Sequence, residues 1–395
     1  MYILVNLGFP YLTREISLYQ ERMGLAMGQK SGQCAGQSAG QEKIKALLEE
    51  QRLDAVLVAR PANIRYLSGF VGTESYLYAS AERSVILTDS RYTLQAEEEG
   101  KGCEVQTIGK GIGYGAILAR LVREDGVGRL GFEEDAMLYG TVRELQEGAG
   151  LLPEGWRPLE GALSLLRAVK SEEEIRRMEE AERIGDKAFS RILKELKPGV
   201  TELEIAAKLE YFMKSLGAEG TSFDTIVASG YHSAMPHAVP TEKPLETGDL
   251  VTMDFGCRYK GYCSDMTRTV VIGKASERQK EVYRVVLEAQ AAALAGLRPG
   301  MTGAEGDRLA REVIEKAGYG EYFGHGLGHS VGLEIHERPA LSMRDETVLC
   351  PGMIETVEPG IYIPGFGGVR IEDMVVLTEA GIRNLTSSPK ELLEL

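Results

Sequence analysis

Two stretches of this sequence read alike at a fixed separation. Lys197-Pro198-Gly199-Val200-Thr201 recurs 101 positions later as Arg298-Pro299-Gly300-Met301-Thr302. The same offset aligns Ile184 with Val285, Ala188 with Ala289, Leu193 with Leu294, Leu196 with Leu297 and Gly217 with Gly318. Each copy spells a helix, a Pro-Gly turn, a helix capped by threonine and a closing glycine. Two copies cannot stack as a solenoid, which takes about three repeats. They predict instead a pseudo-twofold domain in which paired helices cover a shared sheet. Ahead of the first copy, Ser171 and Glu174 have the spacing of a capping box, and a helix is predicted from there to about Lys197.

A chain of 395 residues exceeds the size at which one core keeps growing, so a second domain is expected. Residues 41–165 supply it. Glu42–Gln51 is amphipathic, Ala55–Ala59 and Arg83–Thr88 are buried-strand runs, and helical sequence follows at Thr93–Glu99 and Ile117–Glu124. A strand near Arg129–Phe132 and a helix near Thr141–Gly148 complete an α/β pattern. The Gly109–Gly113 run lacks the Gly-Lys-Ser/Thr of a phosphate loop and reads as an ordinary loop. Residues 1–40 are expected to be a poorly ordered extension, because Gly24–Gly40 has the composition of a linker. Residues 171–390 form the duplicated domain.

The net charge of −14, with no long Lys/Arg run, argues against a nucleic-acid or anionic-membrane partner. No stretch approaches the roughly 20 apolar residues that cross a bilayer. The five cysteines (Cys34, Cys103, Cys257, Cys263, Cys350) are scattered without a Cys-x-x-Cys pair, which predicts reduced thiols and a cytoplasmic protein. Cys257 and Cys263 are expected on opposite faces of one hairpin and unlinked.

That hairpin carries the first chemical signal. Leu250–Gly256 and Tyr262–Ile272 alternate, and a two-residue loop at Tyr259-Lys260 sets Asp254 opposite Asp265. Cβ atoms of such partners are about 4.5–5.5 Å apart, where like charges repel. A buried pair therefore needs a cation or a shared proton. Downstream, Met353–Ile363 and Val369–Leu377 flank Pro364–Gly368, and a turn centred on Gly365 sets Glu358 opposite Glu372. On an exposed hairpin such pairs would be a solvated face, but both are embedded in apolar sequence. Between them, Gly324–Glu337 holds His325, His329 and His336, three of the chain's five histidines. Gly326 and Gly328 disfavour a helix there, at roughly 1 kcal/mol each, and let backbone approach a ligand. Four carboxylates and an imidazole without a nearby thiol favour Mn²⁺, Fe²⁺ or Co²⁺ over structural zinc. So much carboxylate charge predicts two ions, about 3.5–4 Å apart.

With Val251–Gly256, Tyr262–Thr269, His325–Glu337, Thr356–Tyr362 and Val369–Asp373 in this order, the chain resembles the creatinase/aminopeptidase P/prolidase branch of the pita-bread metallopeptidases. Asn63–Phe70 and Asp89–Tyr92 resemble that branch's N-terminal domain. The resemblance covers about residues 41–390. It implies an α/β (α+β) protein, a creatinase-like N-terminal domain followed by a pita-bread domain with an internal pseudo-twofold repeat. It also implies metal ligands at Asp254, Asp265, His329, Glu358 and Glu372, with Asp265 and Glu372 bridging. His237 and His336 match histidines that orient and polarise the scissile peptide, His325 a substrate-pocket histidine, and Arg370 a supporting arginine. His232 matches nothing and is expected at the surface. Glu355 departs from the pattern and is expected to face outward.

The implied activity is hydrolysis of the Xaa-Pro bond at the N-terminus of peptides with proline second, as an Xaa-Pro aminopeptidase. A hydroxide shared by two divalent ions would attack, with Mn²⁺ expected and Co²⁺, Fe²⁺ or Zn²⁺ as alternatives. Glu358 would serve as general base. The alternative is a prolidase restricted to Xaa-Pro dipeptides, in which Arg338 or Arg344 would meet the substrate carboxylate. A remoter one is a metal-free binding protein or creatinase-like enzyme of the same fold, against which the five intact ligand positions argue. The family also implies a homodimer.

Overall fold

The computed structural model describes residues 38–395, so the extension expected at 1–40 lies almost wholly outside the described residues. The described chain forms two compact units, 38–167 and 168–395.

In the first unit, α1 (Ser38–Gln51), β1 (Ala55–Val58), α2 (Pro61–Ser68), β2 (Tyr76–Ser80), β3 (Ser84–Thr88), α3 (Thr93–Glu99), β4 (Glu104–Thr107), α4 (Tyr114–Glu124), β5 (Leu130–Phe132), α5 (Tyr139–Ala149), β6 (Trp156–Pro158) and α6 (Ala162–Leu165) follow in order. The strands form one sheet, β4-β3-β2-β1-β5-β6, in which only the pairs made by β2 are antiparallel. Its core joins Leu57, Tyr78 and Val85 to Ile117 and Leu121 of α4. Gly109–Gly113 is a turn, closed by two hydrogen bonds between Gly109 and Ile112, both 3.0 Å.

The second unit starts from capping. α7 (Glu172–Ile192), α8 (Glu202–Ser215), α9 (Glu277–Gly296) and α10 (Gly303–Lys316) open on Ser171, Thr201, Ser276 and Thr302, each in a reciprocal capping box. Such a box satisfies two of the N–H groups a helix start leaves unpaired. α7 ends at Ile192, short of the predicted Lys197, and tight turns close the interval: Lys194 N donates to Arg191 O and Glu195 N to Ile192 O. The duplication is structural. Gly199 N donates to Leu245 O (2.9 Å) and Leu245 N to Val200 O (2.8 Å); Gly300 and Leu349 repeat the pattern with Met301 at 2.9 and 2.8 Å. Gly199 and Gly300, at φ 91° and 87°, take the left-handed conformation that a Pro-Gly turn requires.

The strands are β7 (Gly220–Thr221), β8 (Ile226–Ser229), β9 (Leu250–Phe255), β10 (Cys257–Tyr259), β11 (Tyr262–Cys263), β12 (Met266–Val271), β13 (Gly328–Ser330), β14 (Glu337–Leu341), β15 (Ile354–Val357), β16 (Gly360–Ile363), β17 (Gly367–Arg370), β18 (Asp373–Thr378) and β19 (Gly381–Asn384). Sheets β12-β9-β8 and β14-β13-β15-β18-β19 are backed by separate cores. The first packs Ile184, Phe189 and Leu209 on Met253 and Phe255; the second packs Val282, Val286 and Ile314 on Leu327, Met353 and Val357. Each such side chain contributes about 1.5–3 kcal/mol when fully buried.

Three expectations are corrected. The first hairpin turns at Lys260-Gly261, so Asp254 pairs with Thr267 and not with Asp265. Lys260 and Gly261 both have positive φ, 49° and 84°, as a tight hairpin turn of matching twist demands. Glu355 is fully buried, and His232 is 8% exposed with a carboxylate partner. Cys103, Cys257 and Cys263 are free thiols. Among the described residues no helix is long and apolar enough to cross a membrane.

Candidate metal centre

Five chain segments deliver the predicted ligands. Asp254 stands near the end of β9, and Asp265 in the break between β11 and β12. His329 lies on β13, whose close seat on β15 needs a glycine: a Cβ on Gly328 would lie 2.0 Å from Thr356 O. Glu358 and Glu372 occupy the facing gaps between β15 and β16 and between β17 and β18, and both flanking ladders keep the register that sets them opposite one another.

Candidate ligand atoms of Asp265, His329 and Glu372 lie within 4.8 Å of one another. His329 Nε2 is 3.5 Å from Asp265 Oδ2 and 3.6 Å from Glu358 Oε1. Its Nδ1 is 3.2 Å from Ser330 O, which can only accept, so Nδ1 carries the proton and Nε2 aims a lone pair at the carboxylates. Burial, reinforced by His336, holds His329 down to about 4, so the ring is neutral at pH 7. Burial pushes Glu358 up to about 8. Asp265 and Glu372 rise well above the usual carboxylate range, first from burial and then from their neighbouring carboxylates. Asp254 Oδ1 is buried with no hydrogen-bond partner among the described residues. Lone pairs converging on lone pairs are unfavourable without a cation between them, and the oxygen-rich donor set fits divalent metal ions.

A hydrogen-bonded chain backs this cluster. Arg370 donates from Nη2 to Asp254 Oδ2 (2.7 Å), from Nη1 to Tyr362 Oη (2.8 Å) and from Nε to Thr267 Oγ1 (3.0 Å). Thr267 Oγ1 in turn donates to Glu372 Oε2 at 2.8 Å. His325 Nδ1 donates to Gly326 O (2.7 Å), so its Nε2 accepts from Tyr362 Oη at 2.9 Å. Burial keeps His325 at about 4 and therefore neutral. Arg268, fully buried, donates to the backbone oxygens of Thr267 and Glu372 and to Asp373 Oδ1.

The His336 ring stacks edge-on against His329, centroids 4.5 Å apart. His237 is exposed in the segment after β8 and is one of the groups that lower the His325 pKa. Arg338 and Arg344 are both exposed. Glu355, on β15 beside Ser330, sits buried with no hydrogen-bond partner within bonding geometry for either carboxylate oxygen among the described residues. The Lys170 charge is the largest influence opposing the rise that burial imposes on its pKa, with Ser330 a smaller one.

Thr267 and Tyr362 had not been singled out. A signal for Tyr362 existed in its glycine neighbours: a Cβ on Gly360 would lie 2.4 Å from its hydroxyl, and one on Gly368, its cross-strand partner, 2.8 Å from its ring. Two glycines beside an aromatic in a strand mark a ring laid flat on backbone.

Residues 176–379 match Metallopeptidase family M24, and residues 41–169 match the Creatinase/Prolidase N-terminal domain. The chain is 42% identical over 356 residues to an Xaa-Pro dipeptidase of Pyrococcus horikoshii, covering 89% of this chain and 99% of that one. Among solved structures it is similar to an Xaa-Pro dipeptidase from Bacillus anthracis, at 45% identity and a TM-score of 0.87, with 91% of this chain and 100% of that one covered. It is also similar to an X-Pro aminopeptidase from Thermotoga maritima, at 40% identity and a TM-score of 0.84, covering 90% and 99%.

Proposed function

The chain belongs to Metallopeptidase family M24, with its two-domain pita-bread fold, and from that premise we propose that it is an Xaa-Pro dipeptidase. The observation that carries the chemistry is the convergence of Asp265, Glu358 and Glu372 on the neutral imidazole of His329, with the Asp254 charge acting on all three carboxylates. The preference for dipeptides draws on the likeness to Xaa-Pro dipeptidases along nearly the whole chain, and it replaces aminopeptidase action as the leading reading.

Asp254, Asp265, His329, Glu358 and Glu372 would hold two divalent ions. When bound, these supply Lewis acidity and make a water nucleophilic near neutral pH. Glu358, which accepts from Thr356 Oγ1 at 3.2 Å, takes the proton of the attacking water and returns it to the leaving nitrogen. That nitrogen belongs to proline and carries no hydrogen in the intact bond, so it cannot be recognised by accepting groups. His237 and His336 instead orient the scissile carbonyl, and their N–H groups stabilise the charge that develops on its oxygen. Arg370 fixes Asp254 and, through Tyr362, the neutral tautomer of His325. Mn²⁺ as native ion, a homodimer and a cytoplasmic location belong to the same proposal.

The test offers Xaa-Pro dipeptides and Xaa-Pro-Xaa peptides side by side to metal-stripped protein reloaded with Mn²⁺. Metal-dependent cleavage of dipeptides alone is the expected result. Efficient cleavage of the longer peptides would favour the second reading, aminopeptidase action, which the Thermotoga maritima likeness supports. Silence with both would overturn the Xaa-Pro assignment.

A further inference from the structure

Both ends of the segment that carries His237 converge on one buried carboxylate. Glu202 is the first residue of α8 and is wholly buried. Its Oε1 accepts from Ser229 N (2.7 Å) and Ser229 Oγ (2.8 Å), where the segment leaves β8. Its Oε2 accepts from Thr241 N (3.0 Å) and Thr241 Oγ1 (2.8 Å), where the segment returns. From inside the segment, His232 brings Nδ1 to 2.9 Å from Oε2 and 3.0 Å from Oε1. A carboxylate already ringed by N–H and O–H donors offers only lone pairs, so this Nδ1 carries a proton. Burial pushes the Glu202 carboxyl up, but the donors from Thr241, His232 and Ser229 outweigh it and the group stays ionised.

The inner side of the segment is seated on β17, the strand that ends in Arg370. Gly368 N donates to Ser233 Oγ at 2.8 Å, and a Cβ on Gly368 would lie 2.1 Å from Ser233 O. The outer side, with Tyr231, Met235, His237 and Val239, is exposed. The second half of the unit solves the same task with another residue: Asp307 on α10 accepts from Leu327 N at 2.9 Å, and its partner Arg311 donates to His325 O at 2.7 Å.

We propose that Glu202, through His232 and the two ends of the 229–241 segment, is a positioning residue that fixes where His237 stands. Each half of the unit thus uses a buried carboxylate on its second helix to aim one histidine. The proposal rests on the reading of His237 as a group that handles the scissile peptide.

The test uses Glu202→Gln, nearly equal in shape, whose NH₂ faces donors on whichever arm it occupies. Amide hydrogen exchange at 230–240 is expected to quicken about tenfold or more relative to β9 and β12, since each 1.4 kcal/mol lost is a factor of ten. The kcat/KM for an Xaa-Pro dipeptide is expected to fall about tenfold with metal content unchanged. In a His237→Ala background the same substitution is expected to add almost nothing, because the two act as one unit. His232→Asn, which keeps an N–H donor, is expected to stay near wild type, and His232→Leu to match Glu202→Gln and to serve if that variant does not fold. Unchanged exchange at 230–240, or losses that simply multiply with His237→Ala, would overturn the proposal. Wild-type activity in His237→Ala would overturn the link to catalysis. A protein that cleaves no Xaa-Pro substrate would sink the dipeptidase reading, while the exchange experiment still decides the role of Glu202.

Discussion

The two halves of the C-terminal unit each bring a carboxylate pair to one centre, and they build their hairpins differently. In the first half the hairpin closes on Lys260-Gly261 and then breaks at Ser264-Asp265 before β12 resumes at Met266. In the second half Pro364–Phe366 closes β16 against β17, and both strands break before pairing again as β15 and β18. The gaps there are filled from elsewhere: Glu358 N donates to Leu327 O (2.8 Å) and Glu372 N to Thr267 O (3.1 Å). Asp265 and Glu372 are each the residue just before a strand begins, and Glu358 follows the end of one. A break frees a side chain from the strict up-down alternation of the pleat. Ligands at interrupted ladders can therefore converge, which four carboxylates on regular strands could not do so closely.

If the two breaks are equivalent, damage to either should be equally severe. Asp265→Asn and Glu372→Gln are each expected to lower Mn²⁺-dependent kcat/KM by about 10³-fold or more, as for members of one catalytic unit. Metal content measured on the same samples should fall with it. In metal-free protein the sign reverses. Both carboxyls are held well above their usual pKa by burial and like charge, so their neutral replacements are expected to raise the melting temperature. Near-normal activity in one variant and not the other would show that only one half supplies an essential ligand.

A second asymmetry lies behind the sheets. Glu182 on α7 is fully buried; Thr386 Oγ1 donates to its Oε1 at 2.6 Å, and Oε2 has no partner among the described residues. The position equivalent by the 101-residue offset is Tyr283, a neutral side chain whose hydroxyl donates to Lys390 O at 2.9 Å. Burial raises Glu182 to about 8 from 4.5. Between those values the folded state holds a proton that the unfolded state has released, so stability falls as pH rises through the window and levels off above about 8. Glu182→Gln mimics the protonated acid. It is expected to leave stability at pH 5 nearly unchanged and to raise it at pH 8 by on the order of 1–3 kcal/mol. Urea unfolding at the two pH values decides this; equal effects at both would mean Glu182 is ionised in the folded protein.

Much of this was legible because the signals are local. Capping boxes span four residues, and Ser171, Thr201 and Thr302 open helices where their spacing says they should. The second hairpin's register follows from its glycine-centred loop. The first was ambiguous because Tyr259-Lys260-Gly261 offers two overlapping two-residue turns. The apolar pattern cannot separate them, since a shift of two leaves every side chain on the same face. That is also why the error in register left Asp254 and Asp265 on a common site. What stayed illegible depends on partners far along the chain. His232 is buried because Glu202 meets it, and Glu355 is tolerated beside Lys170, 185 positions earlier. Glu355 did carry one neglected hint: it alternates with Met353 and Val357, both buried core residues.

The smallest effects test the turn itself. Gly261 holds φ at 84°, where a side chain costs about 1–2 kcal/mol, so Gly261→Ala is expected to destabilise the unit by that much. Lys260, at φ 49°, already bears such strain. Lys260→Gly is therefore expected to stabilise by about 0.4–1 kcal/mol, or by less where the added freedom of the unfolded chain offsets the relief. Lys260→Asn, which tolerates the left-handed region without that freedom, should do at least as well. The downstream counterpart, Gly365→Ala at φ 75°, should cost about as much as Gly261→Ala, because the penalty belongs to the backbone angle and not to the hairpin around it. Thermal melts of the four single variants rank these values. A Gly261→Ala variant as stable as wild type would mean that the hairpin can close on Tyr259-Lys260 after all, restoring Asp265 as the direct partner of Asp254.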